Sequence, residues 1–182
     1  MIIPERYKDV KQSDIPKKLL EYVSKMRDTR RGLYIHGSVG SGKTHLMYAI
    51  AKIIDDKVTL GGLLVRAYNC AELLQDIRND FHSVDSYSRK HTLESLLEFK
   101  GLLMLDDIGS EKLSDWVLET FYSIVNRRYE DCLPTVFTSN LELSELAERI
   151  GDRTVSRVVE SCDVFEVSGE DRRLKKHNKI KA

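Results

Sequence analysis

The residues best equipped for chemistry are Gly37-Ser38-Val39-Gly40-Ser41-Gly42-Lys43-Thr44, which fit G-x-x-x-x-G-K-[ST] at every fixed position. Glycines at these positions let the backbone curl so that successive N–H groups face one anion. A helix starting at the end of the loop adds its positive end to the same anion. A lysine there reaches the β- and γ-phosphates, and a threonine hydroxyl can hold Mg²⁺. The candidate nucleotide-contacting residues are therefore Gly37, Ser38, Val39, Gly40, Ser41, Gly42, Lys43, Thr44 and the adjoining His45. They point to a nucleoside triphosphate.

A second cluster is Asp106-Asp107, directly after the apolar run Leu102-Leu103-Met104-Leu105. Open parallel sheets hold their ligands at the C-terminal ends of strands, where this pair would fall. Asp106 is expected to hold Mg²⁺ opposite Thr44, and Asp107 to orient or deprotonate an attacking water. Pro134 to Asn140 reads as a strand ending in small polar groups, and Asn140 at its end could hydrogen-bond a γ-phosphate or the water. Arg153 and Arg157 are four apart and share a helix face.

Elements must position these groups. Gly32-Leu33-Tyr34-Ile35-His36 reads as a buried strand before the glycine loop, and His45 to Lys52 as a helix after it. Ser13-Asp14-Ile15-Pro16 looks like a helix start, with a helix over Lys17 to Arg27 and a turn over Asp28 to Gly32. Gly62 to Tyr68 reads as the second strand. Helical stretches over Cys70 to Asp80 and Leu93 to Lys100 follow, divided by a polar segment that includes the small basic patch Ser88-Arg89-Lys90-His91. Leu113 to Glu130 is an amphipathic helix with Val117, Phe121, Ile124 and Val125 as its core stripe; Arg127 and Arg128 fit the negative end of its dipole. Short helices over Leu143 to Ile150 and Asp152 to Glu160 precede a last strand, Val164 to Val167.

Length and charge bound the function. A chain of 182 residues makes one ordinary domain, and 29 basic against 29 acidic residues rule out a generally basic nucleic-acid binder. Any such contact has to use a local patch. Cys70, Cys132 and Cys162 are scattered and odd in number, which argues for buried reduced thiols rather than disulfides or zinc. No run reaches the length of a bilayer span and no signal-peptide core opens the chain, so a cytoplasmic protein without membrane contact is expected.

From Ile3-Pro4-Glu5-Arg6-Tyr7 to about Lys176, the ordered set of stretches resembles the AAA+ ATPases, specifically the bacterial replicative helicase loaders (DnaC and DnaI) and the related transposition ATPase IstB. Gly37 to Thr44 looks like Walker A and Leu102 to Asp107 like Walker B. Thr138-Ser139-Asn140 looks like sensor 1, Gly151 to Arg157 like box VII, and Gly169-Glu170-Asp171-Arg172-Arg173 like sensor 2. Arg127-Arg128-Tyr129 also resembles the family's helix end. The resemblance implies an α/β, three-layer P-loop NTPase of the ASCE type, with a parallel five-stranded sheet in the order 5-1-4-3-2 and no full C-terminal lid. It implies one AAA+ domain over 1–182, with a lead-in over 1–31 and a short basic tail over 169–182; loaders of this family carry an N-terminal helicase-binding domain before the ATPase core, and because the core here begins almost at Met1 that domain is expected to be absent.

The resemblance further implies ATP and Mg²⁺ as ligands and an ATPase whose catalytic residues are Lys43, Asp106, Asp107, Asn140, Arg157 and Arg173. Arg157 would act as an arginine finger on the adjacent subunit, so self-association through the ATP site is expected. A replicative helicase and single-stranded DNA are the implied partners, with Arg78, Arg89 and Lys90 as candidate DNA contacts. The alternatives are an IstB-like ATPase acting with a transposase and a nucleotide-switched binding module that hydrolyses little. A P-loop kinase would need a mobile arginine-rich lid, and Leu141 to Glu160 supplies two compact helices instead. The second Walker B acid is Asp107, one methylene shorter than the Glu that many AAA+ enzymes carry there, which fits slow hydrolysis.

Overall fold

The computed structural model describes residues 3–56, 64–82 and 92–169. Two short 3-10 turns, Glu5–Tyr7 and Gln12–Asp14, lead into α1 (Lys17–Thr29) and β1 (Gly32–His36). Then follow α2 (Lys43–Asp56), β2 (Val65–Asn69), α3 (Cys70–His82), α4 (Thr92–Leu97) and β3 (Leu102–Asp106). The remaining elements are α5 (Asp115–Glu130), β4 (Thr135–Ser139), α6 (Leu143–Ile150), α7 (Asp152–Ser161) and β5 (Cys162–Glu166). The five strands form one parallel sheet ordered β2-β3-β4-β1-β5, the expected order read from the other edge.

A parallel sheet covered on both faces needs strands apolar on both sides. β3 meets this condition: all five residues are buried, with Leu102 and Met104 facing one core and Leu103 and Leu105 the other. The first core joins α1 and α2 to the sheet through Leu19, Val23, Leu46 and Ile50. The lead-in adds Val10 and Ile15 to it. The second joins α3, α5, α6 and α7 through Leu73, Phe121, Leu146 and Val158.

Element types agree with the sequence reading; several ends differ. α1 runs on to Thr29 and stops at Arg30, whose φ of 54° breaks the helix, so the expected turn is shorter. It is preceded by Pro16, and Ser13 does not cap it; Asp14 instead bonds the Lys11 backbone N–H at 2.9 Å. β2 starts later, at Val65, and β5 earlier, at Cys162, because pairing with β3 and β1 sets their ends. α4 ends at Leu97. The basic patch 88–91 and the tail from 170 lie outside the described residues. Cys70 and Cys162 are buried thiols as expected, whereas Cys132 is exposed.

Arg128 departs most from expectation. It is 2% exposed and neutralises no helix end at the surface. Its guanidinium donates to Thr135 Oγ1 (2.7 Å), Phe99 O (3.0 Å), Gly101 O (2.7 Å) and Pro134 O (2.8 Å). These acceptors precede or open β3 and β4, so one side chain ties α5 to the N-terminal ends of the two central strands. Burial lowers its pKa to about 10, which still leaves it charged at neutral pH. Arg128→Met removes the donors and leaves four acceptors buried. The expected cost is about 3–5 kcal/mol in urea unfolding, with partial recovery in Arg128→Lys.

Candidate functional site

The C-terminal ends of β1, β3 and β4 lie side by side because the strands are parallel and in register: Ile35 pairs with Thr138, and Leu105 with Phe137. The loop after β1 therefore faces Asp106 and Asn140. Three glycines give it its curl, with φ of 148° at Gly37, 78° at Gly40 and 105° at Gly42. Gly37 is required for a second reason. A Cβ there would lie 2.3 Å from Val167 O, where the chain after β5 crosses behind the loop. Ser38 Oγ donates to Gly169 O at 3.2 Å, which holds that crossing in place.

Lys43 Nζ donates to Gly37 O (2.9 Å), Ser38 O (2.9 Å) and Asn140 Oδ1 (2.7 Å). The other end of the same amide, Asn140 Nδ2, donates to Asp107 Oδ1 at 2.7 Å. One amide thus connects the lysine of the loop with the second carboxylate of β3. Asp107 sits at φ 61°, a left-handed conformation that Asp tolerates better than most residues, and its N–H donates to Thr138 Oγ1 at 2.9 Å. That conformation turns its carboxylate toward Asn140.

Asp106 is 8% exposed and accepts from Thr44 Oγ1 (3.0 and 3.2 Å) and Thr138 Oγ1 (2.6 Å). Burial raises its pKa, and the two hydroxyl donors act against that rise. Hard oxygen ligands at this spacing, one carboxylate and one hydroxyl, suit Mg²⁺, which keeps several waters and completes its shell from phosphates. Ser41 Oγ is buried inside the loop with no hydrogen-bond partner among the described residues. The curled backbone, the lysine, the spare hydroxyl and the oxygen pair all fit a Mg²⁺–triphosphate.

Val39, Gly40, Gly42, Lys43, Thr44, Asp106 and Asn140 are among the residues that line a cleft of about 670 Å³. Sequence reasoning brought Gly37 to Thr44, Asp106, Asp107 and Asn140 to one place, and the structure does the same. His45 lies at the rim, with Nε2 3.0 Å from Asp14 Oδ2; the Lys11 N–H and this imidazole hold the Asp14 carboxyl below its ordinary range. Arg157 lies on α7, against α5, and Arg173 lies outside the described residues. Thr138 was missed as a site residue, since only cross-strand pairing brings it to Asp106. Also missed were Arg6, Tyr7, Asp9 and Val10 of the lead-in, which wall the cleft beside Val39 and Gly40. Their signal was an apolar residue every third place, Tyr7 and Val10, in a polar segment. Tyr7 stacks on Tyr48 of α2 with ring centres 4.7 Å apart.

The sheet order, the loop and the paired carboxylates define an AAA+ P-loop nucleotide-binding domain. A family profile described as "IstB-like ATP binding protein" matches residues 5–180. The chain belongs to that ATP-binding family. It is 28% identical over 159 residues to the replicative helicase loader DnaI of Bacillus subtilis (strain 168), covering 79% of this chain and 48% of the relative. The crystal structure of the DnaC helicase loader superposes with a TM-score of 0.74 at 27% identity, covering 90% of this chain and 99% of that one. DnaA from Aquifex aeolicus bound to AMPPCP shares the fold, with a TM-score of 0.69 at 20% identity, covering 96% of this chain and 55% of that one. The chain spans about half the length of the curated relatives it matches.

Asp106→Asn removes a desolvated charge yet keeps an oxygen for the Thr44 and Thr138 hydroxyls. The folded-state pKa is raised, so the ionic penalty accrues between the unfolded and folded values and is full above the latter. The nucleotide-free variant is therefore expected to be more stable by about 1 kcal/mol at neutral pH, a gain of about 2–4 °C in Tm. The gain should vanish as pH falls through the carboxylate range, read by calorimetry over pH 3–8.

Proposed function

We propose that this chain is the ATPase core of a DNA replication helicase loader that hydrolyses ATP with Mg²⁺ and acts on single-stranded DNA as an oligomer. The observation that carries the reading is the hydrogen-bonded series Lys43–Asn140–Asp107, beside Thr44–Asp106–Thr138, on one cleft wall. The backbone of 37–44 would hold the triphosphate and Lys43 would lie against its terminal phosphates. Thr44 and Asp106 would hold Mg²⁺, which when bound neutralises charge developing on the phosphate oxygens. Asp107, aimed by Asn140, would orient the attacking water and accept its proton. Arg173 in cis and Arg157 from a neighbouring copy would balance the rest of the charge.

Similarity to DnaC and DnaI supports the helicase as partner. For DNA, Arg78 is exposed on α3 with its guanidinium 4.7 Å from the Trp116 ring centre; Arg89 and Lys90 lie outside the described residues. The IstB-like family match favours a second reading, an ATPase serving a transposase, which would use the same site chemistry. No helix among the described residues is long and apolar enough to cross a membrane.

If the site is shared, the specific ATPase rate rises with protein concentration, and Arg157→Ala lowers turnover by ~10³-fold while nucleotide affinity persists. Phosphate-release assays across protein concentrations, with and without single-stranded DNA, measure both. A rate independent of concentration together with an unimpaired Arg157→Ala protein overturns the shared site. Stoichiometric phosphate transfer to a small acceptor would indicate a kinase.

A further inference from the structure

Arg157 is half-buried between α7 and α5, and its surroundings are unusual for a cation. Its Nε donates to Asn126 Oδ1, one terminal nitrogen to Arg153 O (3.2 Å), and the other faces Tyr122 Oη (3.5 Å). Its guanidinium carbon lies 5.2 Å from the Tyr122 ring centre and 5.5 Å from that of Tyr129. Asn126 is fixed in turn, because its Nδ2 donates to Glu130 Oε1 at 2.9 Å. Each of these partners is uncharged. Other arginines of the same region take carboxylates: Arg31 pairs with Asp163 (2.9 Å) and Arg127 with Asp131 (3.1 Å).

A carboxylate is within reach of Arg157. Glu160 is three residues further along α7, a spacing at which helix side chains pair readily. Among the described residues no ion pair joins it to Arg157; its carboxylate lies near the Tyr129 hydroxyl and raises the Tyr129 pKa. Tyr129 therefore supplies a π face to the cation and lies close to the anion that could otherwise neutralise it. Tyr122, Asn126 and Tyr129 recur at four- and three-residue steps, so they form one stripe of α5 facing α7.

We infer that Tyr122, Asn126 and Tyr129 are positioning residues that hold Arg157 fixed in aim but without a counter-charge, ready for the γ-phosphate bound by a second copy of this chain. The inference rests on the shared-site reading of Arg157 and adds what aims that residue. A rigid neutral cradle lowers the ordering cost of bringing the guanidinium to a phosphate, and leaves its full charge for the developing anion.

The test uses full-length proteins in mixtures. Lys43→Ala supplies an intact Arg157 but no working loop, and Arg157→Ala supplies the loop but no finger. Mixed, they should regain turnover that neither shows alone. Cradle substitutions then go into the Lys43→Ala donor. Asn126→Ala should lower the regained kcat by about 10-fold, and Asn126→Asp, which gives the cation a counter-charge, by about 100-fold, with KM for ATP unchanged. Tyr129→Phe, which removes the hydroxyl near Glu160, should also lower it by leaving that carboxylate to the cation, and adding Glu160→Gln should restore it. Thermal midpoints of the nucleotide-free donors give the second readout. The Asn126→Asp donor should melt no lower than the Asn126→Ala donor, since a new ion pair joins α5 to α7. A purely structural cradle would rank turnover and melting in the same order. Complementation with Asn126→Asp donating as well as the native residue overturns the cradle alone. Failure of the two parents to complement overturns the shared-site reading, and the cradle with it.

Discussion

A buried carboxylate in need of donors governs the architecture of the cleft. Asp106 lies at the end of a strand buried on both faces, where an unpaired charge would cost several kcal/mol. Two hydroxyls meet that need, one from the first turn of α2 and one from the end of β4. Satisfying Asp106 thus requires β1, β3 and β4 to be adjacent and level, which is what the 3-4-1 order at the centre of the sheet provides. The same register sets Asn140 between Lys43 and Asp107. Groups able to hold phosphate, metal and water are consequences of one electrostatic requirement.

The opposite ends of the same strands carry the complementary solution. Arg128 there collects carbonyls from the entries to β3 and β4, a buried cation on backbone dipoles. The central strands are therefore fixed at both ends, by a cation where they begin and an anion where they finish. Between these ends the packing is wholly apolar. Such a frame fixes the strand ends, and the cleft residues they carry, relative to one another.

Around this rigid centre the polar contacts become more local and more exposed. The Asp14–His45 pair ties the lead-in to the helix that follows the loop, and the Tyr7–Tyr48 stack does the same through aromatic faces. The lead-in thereby becomes a wall of the cleft and not merely a tether. On the far side, α5 carries both Arg128 inward and the Tyr122, Asn126 and Tyr129 stripe toward α7, so one helix links the strand frame to Arg157.

Local chemistry made much of this legible in advance. Glycines and a lysine at fixed spacing specify an anion-binding turn whatever the rest of the chain does, and β1 falls on the five residues read for it. The apolar run ending in Asp106-Asp107 could only be a buried strand with its carboxylates at a ligand-binding end. Helices with strong amphipathic stripes, α5 and α6 among them, agree with the reading to within two residues. Contacts between distant strands and helices were a different matter. Thr138 reaching Asp106, Arg128 turning inward from a helix end, and three α5 side chains enclosing Arg157 depend on which elements become neighbours. Sequence spacing encodes residues that share a strand or a helix turn. It does not encode partners 27 to 35 positions apart, and the hydrogen bonds of Thr138, Arg128 and Arg157 across such separations were decided only when the sheet assembled and its helices packed on it.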